Sequence, residues 1–517
     1  MTPTHAAKTE RRLERSSLLV MSMTLLSRMI GLIRIRILAS YLGASVQGDI
    51  LYFTLQIPNN FRKILAEGAF TSAYIPELAR IRAEHPESEA SFILTIFTVL
   101  AAVTVLPVLL LTAGGTFIIS LWSNFDAHLI SNTGAVLSAV FALYLAGIML
   151  TAFLSDSSHV RGRFLIPSLA PLVLSISVIL WTVLGYRRMG VSAAAWGFAA
   201  GALAGAVLIA VSLYRLRGCV RGACQLSLKL AAPCLRHWGI LTVMSLMFFA
   251  DQQVSYYLAS ALEPGSVIVF SNAVIIWQLP FGICVASIIT VMYPHLARSA
   301  SYGDSYRLSA ETLRTAQYIL AGMVPAMIFL FFFSGEVSAF ILLSGNYTEE
   351  AVQRTSLLLR YFAPGAVFLA MVQLGFRVLY ISRAWKRAVI LTMAVTLTDI
   401  ILSVTLVRTP LGLNGLALAF TLANASAAAV LTVMALQRGG STTYLKPLAV
   451  STLVFFLWCA VLKICLAPLE LFTVMSYPVS AAVTAASGTS SAAVMVMLYR
   501  KFNIPLFSLR KFRNRPS

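Results

Sequence analysis

Long apolar runs separated by short polar connections recur along the whole chain. A helix needs about 20 mostly apolar residues to cross the hydrocarbon of a bilayer. The runs are continuous rather than alternating, so they predict helices and exclude the strands of a membrane barrel. About fourteen spans are predicted, near residues 17–41, 50–78, 91–113, 131–156, 164–186, 191–214, 237–262, 267–296, 316–343, 355–380, 388–407, 412–436, 447–469 and 474–499.

Composition agrees with an all-α polytopic membrane protein. Hydrophobic residues make up 59% of the 517 residues and charged residues 11%. A soluble domain carries about 25% charged residues, so this chain could not cover a soluble surface. The 30 Phe and 18 Tyr exclude a disordered chain, which would be polar and poor in aromatic residues.

The charge of the chain is strongly positive, with 39 Lys and Arg against 19 Asp and Glu. Most of the basic residues fall in both tails and in every second loop, whereas the opposite loops hold few, among them Arg187, Arg188 and Arg408. Basic loops stay on the cytoplasmic side, so both termini are predicted to be cytoplasmic. The excess of basic residues therefore reflects the orientation of the chain in the membrane, and no nucleic-acid partner is expected.

Motifs of common enzymes are missing from the sequence. It contains no GxxxxGK[ST] phosphate loop, no HExxH and no GxSxG. No catalytic residues, metal site or bound cofactor are therefore predicted. A multi-span chain without nucleotide machinery is most simply a gradient-driven transporter or a scaffold.

Several basic residues fall inside the first two predicted spans: Arg28, Arg34, Arg36, Arg62 and Lys63. A charge at membrane depth costs about 2.5–3.5 kcal/mol, so it persists where it faces water or a partner. The functional interpretation is a cationic chamber for an anionic headgroup, because a guanidinium binds phosphate oxygens in pairs. The alternative is that the side chains reach to an interface or end a helix, which applies best to Arg36 and Lys63.

Helix-breaking residues accompany these charges. Pro58 is expected to break the second span at its start, and Gly68 to loosen it again. Gly31 would let the first span bend and bring Arg28 and Arg34 to a common side. Broken helices at membrane depth are typical of transporter binding sites.

Further charges lie in later spans. Asp251 and Asp399 are candidates for binding a coupling cation or proton, with a structural pair to a nearby arginine as the alternative. Arg360 and Arg377 are candidate supporting charges, and Lys463 is expected to snorkel to an interface.

Several segments resemble the MurJ (MviN) family of lipid II flippases. The similar segments are Ser22-Met23-Thr24, Ser27-Arg28-Met29-Ile30-Gly31 with Arg34, the run from Pro58-Asn59-Asn60-Phe61-Arg62-Lys63 to Phe70, Ala73-Tyr74-Ile75-Pro76, and Gln278-Leu279-Pro280-Phe281-Gly282-Ile283. The resemblance implies a fold of the MOP exporter superfamily, with two six-helix lobes around a central cavity and two C-terminal helices that form a lipid-tail groove.

The implied division of the chain has six parts. They are a basic cytoplasmic tail at 1–16, an N-terminal lobe at 17–214, a basic cytoplasmic loop at 215–236, a C-terminal lobe at 237–436, the groove helices at 437–499 and a basic cytoplasmic tail at 500–517.

The resemblance also implies function and site. The protein would move lipid II, the undecaprenyl-diphosphate-linked peptidoglycan precursor, to the outer face of the inner membrane by alternating access. Its implied substrate-binding residues are Arg28, Arg34, Arg62, Asp49 and Glu67. Membrane lipids, and other cell-wall synthesis proteins, are the expected partners.

The sequence departs from the family pattern at three positions. Ile275 stands where the family usually has a cavity arginine, for which Arg360 or Arg377 could substitute. Ile35 replaces a frequent Asp, and Ala384 stands where some members have a sodium-binding acid. Coupling to Na⁺, to H⁺ or to the membrane potential therefore stays open.

Three rival functions remain. A polysaccharide-lipid or multidrug exporter of the same superfamily would share the fold, but an exporter of cationic drugs should present an acidic or aromatic cavity. An enzyme of polyprenyl-phosphate metabolism would need a catalytic constellation near the arginines. A scaffold for cell-wall synthesis would not need cavity arginines.

Overall fold

The computed structural model of the protein describes residues 23, 26–66, 69–214, 225–301, 305–382, 384–436, 445–472 and 477–501. These residues are almost entirely helical. The chain divides into two compact units. Unit 1 comprises Met1–Ile268 with the short segment Ser344–Tyr347, and unit 2 comprises Val269–Leu343 and Thr348–Ser517.

The described residues of unit 1 form nine α-helices and a short 3-10 helix, Pro86–Ser88; one α-helix is a single turn that continues through a π-helical segment, Ile130–Gly134, into the next. They are α1 (26–42), α2 (Val46–Leu65), α3 (Ala69–Glu84), α4 (Glu89–Trp122), α5 (Ala127–Leu129), α6 (Ala135–Val160), α7 (Leu165–Met189), α8 (Ser192–Tyr214) and α9 (Leu228–Ser260).

Unit 2 contains the remaining helices, the first of which begins at the end of unit 1. They are α10 (Ser266–Ser301), α11 (Ser305–Phe332), α12 (Ser334–Leu342), α13 (Glu349–Ile381), α14 (Trp385–Leu406), α15 (Leu413–Leu436), α16 (Leu445–Phe472) and α17 (Tyr477–Lys501). The prediction of two six-helix lobes with a C-terminal pair, and its boundaries, is not tested by this division and stays a prediction.

Ten described helices are long and apolar enough to cross a membrane. The other predicted spans fall on α1, on α2 with α3, on α9 and on α16. The first two of these carry the intramembrane charges Arg28, Arg34, Asp49, Arg62 and Lys63, which lower their apolar character. The candidate site is therefore predicted on helices that carry charges inside their spans.

The second predicted span is interrupted between Leu65 and Ala69, the second of the two places that the sequence indicated, and not at the first. Pro58 lies inside α2, and the helix continues through it, so the expected break at this proline is wrong. A proline removes one backbone hydrogen bond, and neighbouring helices compensate for that loss in a membrane. The break comes after Leu65, and Trp238 of α9 donates its indole N–H to the Leu65 carbonyl at 3.0 Å. Gly68 lies outside the described residues.

A tight glycine turn ends α1. Gly43 has φ +61° and donates its N–H to the Ala39 carbonyl at 2.8 Å. The segment Ser344–Tyr347 covers the same helix end, because Asn346 donates its backbone N–H to the Ser40 carbonyl at 2.8 Å. A Cβ at Gly43 would lie 2.5 Å from the Asn346 carbonyl oxygen, so only glycine fits both the conformation and the contact.

Close helix packing in unit 1 depends on small residues. A Cβ at Gly197 of α8 would lie 2.6 Å from the Cα of Val178 on α7. Small residues let membrane helices approach closely, which compensates for the weak hydrophobic drive between helices in lipid. Apolar side chains on the outer faces remain exposed, including Phe117 at 68% and Leu184 at 77%, as expected for contact with lipid.

In unit 2, α16 and α17 pack on α11 and α12 through a cluster that includes Phe333, Phe455 and Tyr499. Beside it, Lys463 of α16 forms an ion pair with Glu336 of α12, a side chain that is fully buried. The ammonium group also lies 5.8 Å from the Phe333 ring centroid. The expectation that Lys463 snorkels is therefore wrong, because a buried carboxylate holds the ammonium group inward.

Replacement of Lys463 by Met is expected to lower the free energy of unfolding by roughly 3 kcal/mol, because the buried Glu336 carboxylate would lose its cationic partner. Thermal or denaturant unfolding of the purified protein in detergent measures the effect. The double variant with Glu336→Gln should recover most of the loss. Lys386→Met, which changes an exposed lysine, is the matched control. A loss as large in the double variant would contradict the role of the ion pair.

Candidate functional site

Arg34 is the best defined basic side chain of the candidate site. Its Nη1 donates to Ser175 Oγ of α7 at 3.3 Å, and its guanidinium lies 5.5 Å from the ring centroid of Phe198 on α8. Its Nε is buried and meets no hydrogen-bond acceptor in the part of the chain that the structure describes. The ion pairs found among those residues do not include it. A guanidinium has five N–H donors, so this one retains capacity for an anion.

Arg62 lies in the last turn of α2 and is half-buried. It interacts electrostatically with Arg34, as do the hydroxyl-bearing rings of Tyr52 and Tyr144. The structure thus brings two of the three predicted arginines within electrostatic range of each other. Two like charges in a poorly solvated place repel, and an anion between them would relieve the repulsion. Arg28 is half-buried on α1, one to two turns before Arg34.

Asp49 performs a structural function that the sequence did not reveal. Its two carboxylate oxygens accept the backbone N–H groups of Gly265 at 2.6 Å and Ile268 at 2.8 Å, at the start of α10. An acid at a helix N-terminus satisfies otherwise unpaired N–H groups and complements the helix dipole. Asp49 is 3% exposed, so its carboxylate is committed to this cap. Its predicted role in binding substrate is untested.

Other acids of unit 1 are also engaged in structural contacts. Glu89 at the start of α4 pairs with Arg161 at 2.6 Å, and both side chains are buried. Asp156 of α6 accepts a hydrogen bond from Thr71 of α3 at 2.8 Å. Glu67, a predicted site residue, lies outside the described residues. The acids of unit 1 described here therefore stabilise helix contacts.

The predicted coupling acids lie on different helices. Asp251 is half-buried on α9, and Asp399 is 5% exposed on α14. The Asp399 carboxylate accepts a hydrogen bond from Ser403, one turn later on the same helix, at 3.3 Å. Whether either acid binds a cation or proton is untested.

The two candidate supporting arginines are exposed on α13. Arg360 donates its Nε–H to Ser334 Oγ of α12 at 3.0 Å, and Arg377 lies 6.0 Å from the ring centroid of Tyr293 on α10. Ile275 is half-buried on α10. These contacts do not test whether either arginine replaces the basic residue that the family pattern puts at position 275.

Sequence reasoning missed the neutral polar side chains that lie beside the arginines. Gln56, Asn59 and Asn60 of α2 are connected by hydrogen bonds to α6 and α9. Their spacing at positions i, i+3 and i+4 marks one helix face and could have indicated them.

Comparison with known proteins identifies the class. A structure titled "Lipid II flippase MurJ, inward closed conformation" matches 94% of this chain and 99% of its own, at TM-score 0.74 and 19% identity. A multidrug resistance MATE family transporter of the MOP superfamily, in an inward-facing conformation, matches 81% of this chain and 97% of its own, at TM-score 0.66 and 18% identity. The fold is therefore that of a polytopic helical transporter, as the apolar pattern predicted.

Sequence comparison identifies the family. The family model described as "Lipid II flippase MurJ" matches residues 38–485. A "Probable lipid II flippase MurJ" of Borreliella burgdorferi is 30% identical over 427 residues, covering 82% of this chain and 83% of the relative. The chain belongs to the MurJ lipid II flippase family, and it is a multi-pass inner-membrane transporter rather than an enzyme. The predicted family, fold class and localisation are confirmed.

Replacement of Asp49 by Ala is expected to destabilise the protein by about 0.5–2 kcal/mol, because two backbone N–H groups at the start of α10 would lose their acceptor. Asp49→Asn should lose less, since an amide oxygen can still accept one bond. The melting temperatures of the two variants and the parent protein provide the measurement. Asp126, which caps the single turn α5 in an exposed position, supplies the control Asp126→Ala. Equal melting temperatures for all four proteins would contradict the cap.

Proposed function

We propose that the protein moves lipid II from the cytoplasmic to the outer face of the membrane by alternating access, and that arginines of unit 1 bind the diphosphate of its headgroup. Family membership supports the substrate. The observation that carries the binding role is the half-buried side chain of Arg34, whose Nε is buried and which has a hydroxyl and an aromatic ring as neighbours. A protein that needed this arginine only for structure would pair it with an acid.

The chemistry of the site suits a diphosphate. Each guanidinium can donate two parallel hydrogen bonds to phosphate oxygens, and such charge-assisted bonds are stronger than neutral ones. Arg34 and Arg62 are close enough to interact electrostatically. A diphosphate would neutralise both and Arg28 could add a third contact. Asp49 contributes indirectly in this proposal, because its carboxylate holds the start of α10.

Binding can drive the conformational change only if the anion prefers one state. In this proposal, the repulsion between the arginines opposes closure around an empty site, and the bound diphosphate removes it. Lipid II would therefore favour the state in which the arginines lie closest together. The polyprenyl tail would remain in the apolar surroundings, where α16 and α17 expose side chains such as Ile464 and Met497 respectively.

The rival exporters share the fold but not the site. A multidrug transporter of the same superfamily matches this chain at TM-score 0.66, so the fold alone does not separate the two functions. The described half-buried charges of α1 and of the last turn of α2 are basic, and a cationic drug would be repelled. An anionic lipid is therefore the favoured cargo. Interaction with other cell-wall synthesis proteins stays a prediction.

Replacement of Arg34 by Ala is expected to weaken lipid II binding by about tenfold to a hundredfold, because one or more charge-assisted hydrogen bonds would be lost. Arg34→Lys should recover the charge but not the paired geometry, and so only part of the affinity. Binding to the purified protein in nanodiscs, together with rescue of cells depleted of their own flippase, measures the effect. Arg80→Ala, at an exposed arginine of α3, is the matched control. Full rescue and unchanged binding by Arg34→Ala would refute the proposal.

We propose that a coupling cation or proton acts at Asp251 or Asp399, with the membrane potential as the alternative energy source. A charge that crosses the membrane field gains about 2.3 kcal/mol per 100 mV. The variants Asp251→Asn and Asp399→Asn are expected to abolish the dependence of transport on the relevant ion gradient. Transport in proteoliposomes with sodium, proton and electrical gradients imposed separately measures that dependence. An unchanged gradient dependence in both variants would leave the membrane potential as the driving force.

A further inference from the structure

A polar stripe runs along one face of α2. Gln56, Asn59, Asn60 and Lys63 occupy positions i, i+3, i+4 and i+7, which lie on a common side of a helix. The same helix is otherwise rich in buried apolar residues. A polar stripe within a membrane protein is costly against lipid, so it faces protein or a water-filled space.

The stripe is joined by hydrogen bonds to two other helices of unit 1. Gln56 Nε2 donates to Asn60 Oδ1 at 2.9 Å and to Gln252 Oε1 of α9 at 3.1 Å. Lys63 Nζ donates to the same Gln252 oxygen at 3.1 Å, and Tyr144 of α6 donates its hydroxyl to Asn59 Oδ1 at 2.9 Å. The amide groups are thus held in fixed orientations.

Some buried side-chain amide groups of this region have no hydrogen-bond partner among the described residues. Asn60 is 1% exposed, yet its Nδ2 has no acceptor among the residues that the structure describes. The neighbour of Gln252 on α9, Gln253, is 8% exposed, and neither its amide oxygen nor its nitrogen has a partner within the same described set. Buried amides without partners are costly, so such groups are retained where they serve binding.

The stripe adjoins the arginines. Tyr144, which donates to Asn59, also lies near Arg34, and Arg34 lies near Arg62 on the same helix as the stripe. Cationic groups and neutral amides therefore lie side by side in unit 1. Guanidinium groups suit phosphate oxygens, whereas amides offer one acceptor and two donors and suit other amides.

We propose that the amide side chains of Gln56, Asn60 and Gln252 form a second subsite, which recognises the amide groups of the sugar–peptide part of the headgroup. The inference deepens the proposed function and rests on it, since the arginines anchor the diphosphate next to this subsite. The subsite supplies specificity, because a site that is built to hydrogen-bond a ligand discriminates strongly against a ligand that lacks the groups. The arginines alone would accept any lipid diphosphate.

The test compares two probes on the full-length protein in nanodiscs: lipid II, and undecaprenyl diphosphate, which lacks the sugar and peptide. Gln252→Leu is expected to weaken lipid II binding by about tenfold and to leave undecaprenyl diphosphate binding unchanged. Arg34→Ala should weaken binding of both probes. Gln353→Leu, at an exposed glutamine of α13, is the matched control and should change neither.

Asn60→Leu is a second variant, in case Gln252→Leu does not fold. This variant also removes the acceptor of the Gln56 amide, so we expect a lower melting temperature, and the decisive readout is a loss of affinity for lipid II that undecaprenyl diphosphate does not share. A purely structural asparagine would lower the melting temperature and leave the preference between the two probes unchanged.

Each outcome separates the two proposals. Equal weakening of both probes by the amide variants, or no weakening of either, would overturn the amide subsite while the diphosphate site stands. Failure of Arg34→Ala to weaken either probe would instead overturn the proposed function. Selective loss of lipid II by both amide variants supports the subsite.

Discussion

A half-buried arginine with no acidic partner among the described residues is the constraint on which the proposed site of unit 1 depends. Arg34 has a hydroxyl group and an aromatic ring as neighbours, and its Nε meets no acceptor among the described residues. Such a charge is costly in a membrane unless water or an anion solvates it. The surrounding helices must therefore provide a polar environment for the guanidinium.

Several acids of the protein are bonded to structural partners other than Arg34, so they do not neutralise its charge. Asp49 caps α10, Glu89 pairs with Arg161, and in unit 2 Glu336 pairs with Lys463. Each of these bonds joins separate helices, so each carboxylate stabilises the fold while it stays committed to a structural partner. The net positive charge of the chain therefore lies in two places: basic loops that set topology, and arginines inside the spans that are the proposed anion-binding residues.

The fold is shared with transporters of different cargo, whereas the side chains of the site bear on which cargo is bound. Both a lipid flippase and a drug transporter have this helix arrangement, at TM-scores of 0.74 and 0.66. The fold supplies a scaffold for alternating access, whereas charge and hydrogen-bonding groups on a few helices select the cargo. In this chain, guanidinium groups and amides lie together, a combination that suits a phosphate-bearing headgroup with peptide bonds better than a cationic drug.

The sequence by itself determined the class of protein, the spans and the basic residues of the site. These follow from local composition, because apolar run length and charge placement do not depend on distant contacts. Only the tertiary structure decided the partners. In the structure Asp49 caps a helix, and Lys463 pairs with the buried Glu336. Helix α2 continues through Pro58, and Gln252 bonds to Gln56, 196 positions away in the sequence. Such pairings depend on which helix faces meet, and the spacing of residues along one helix cannot fix that.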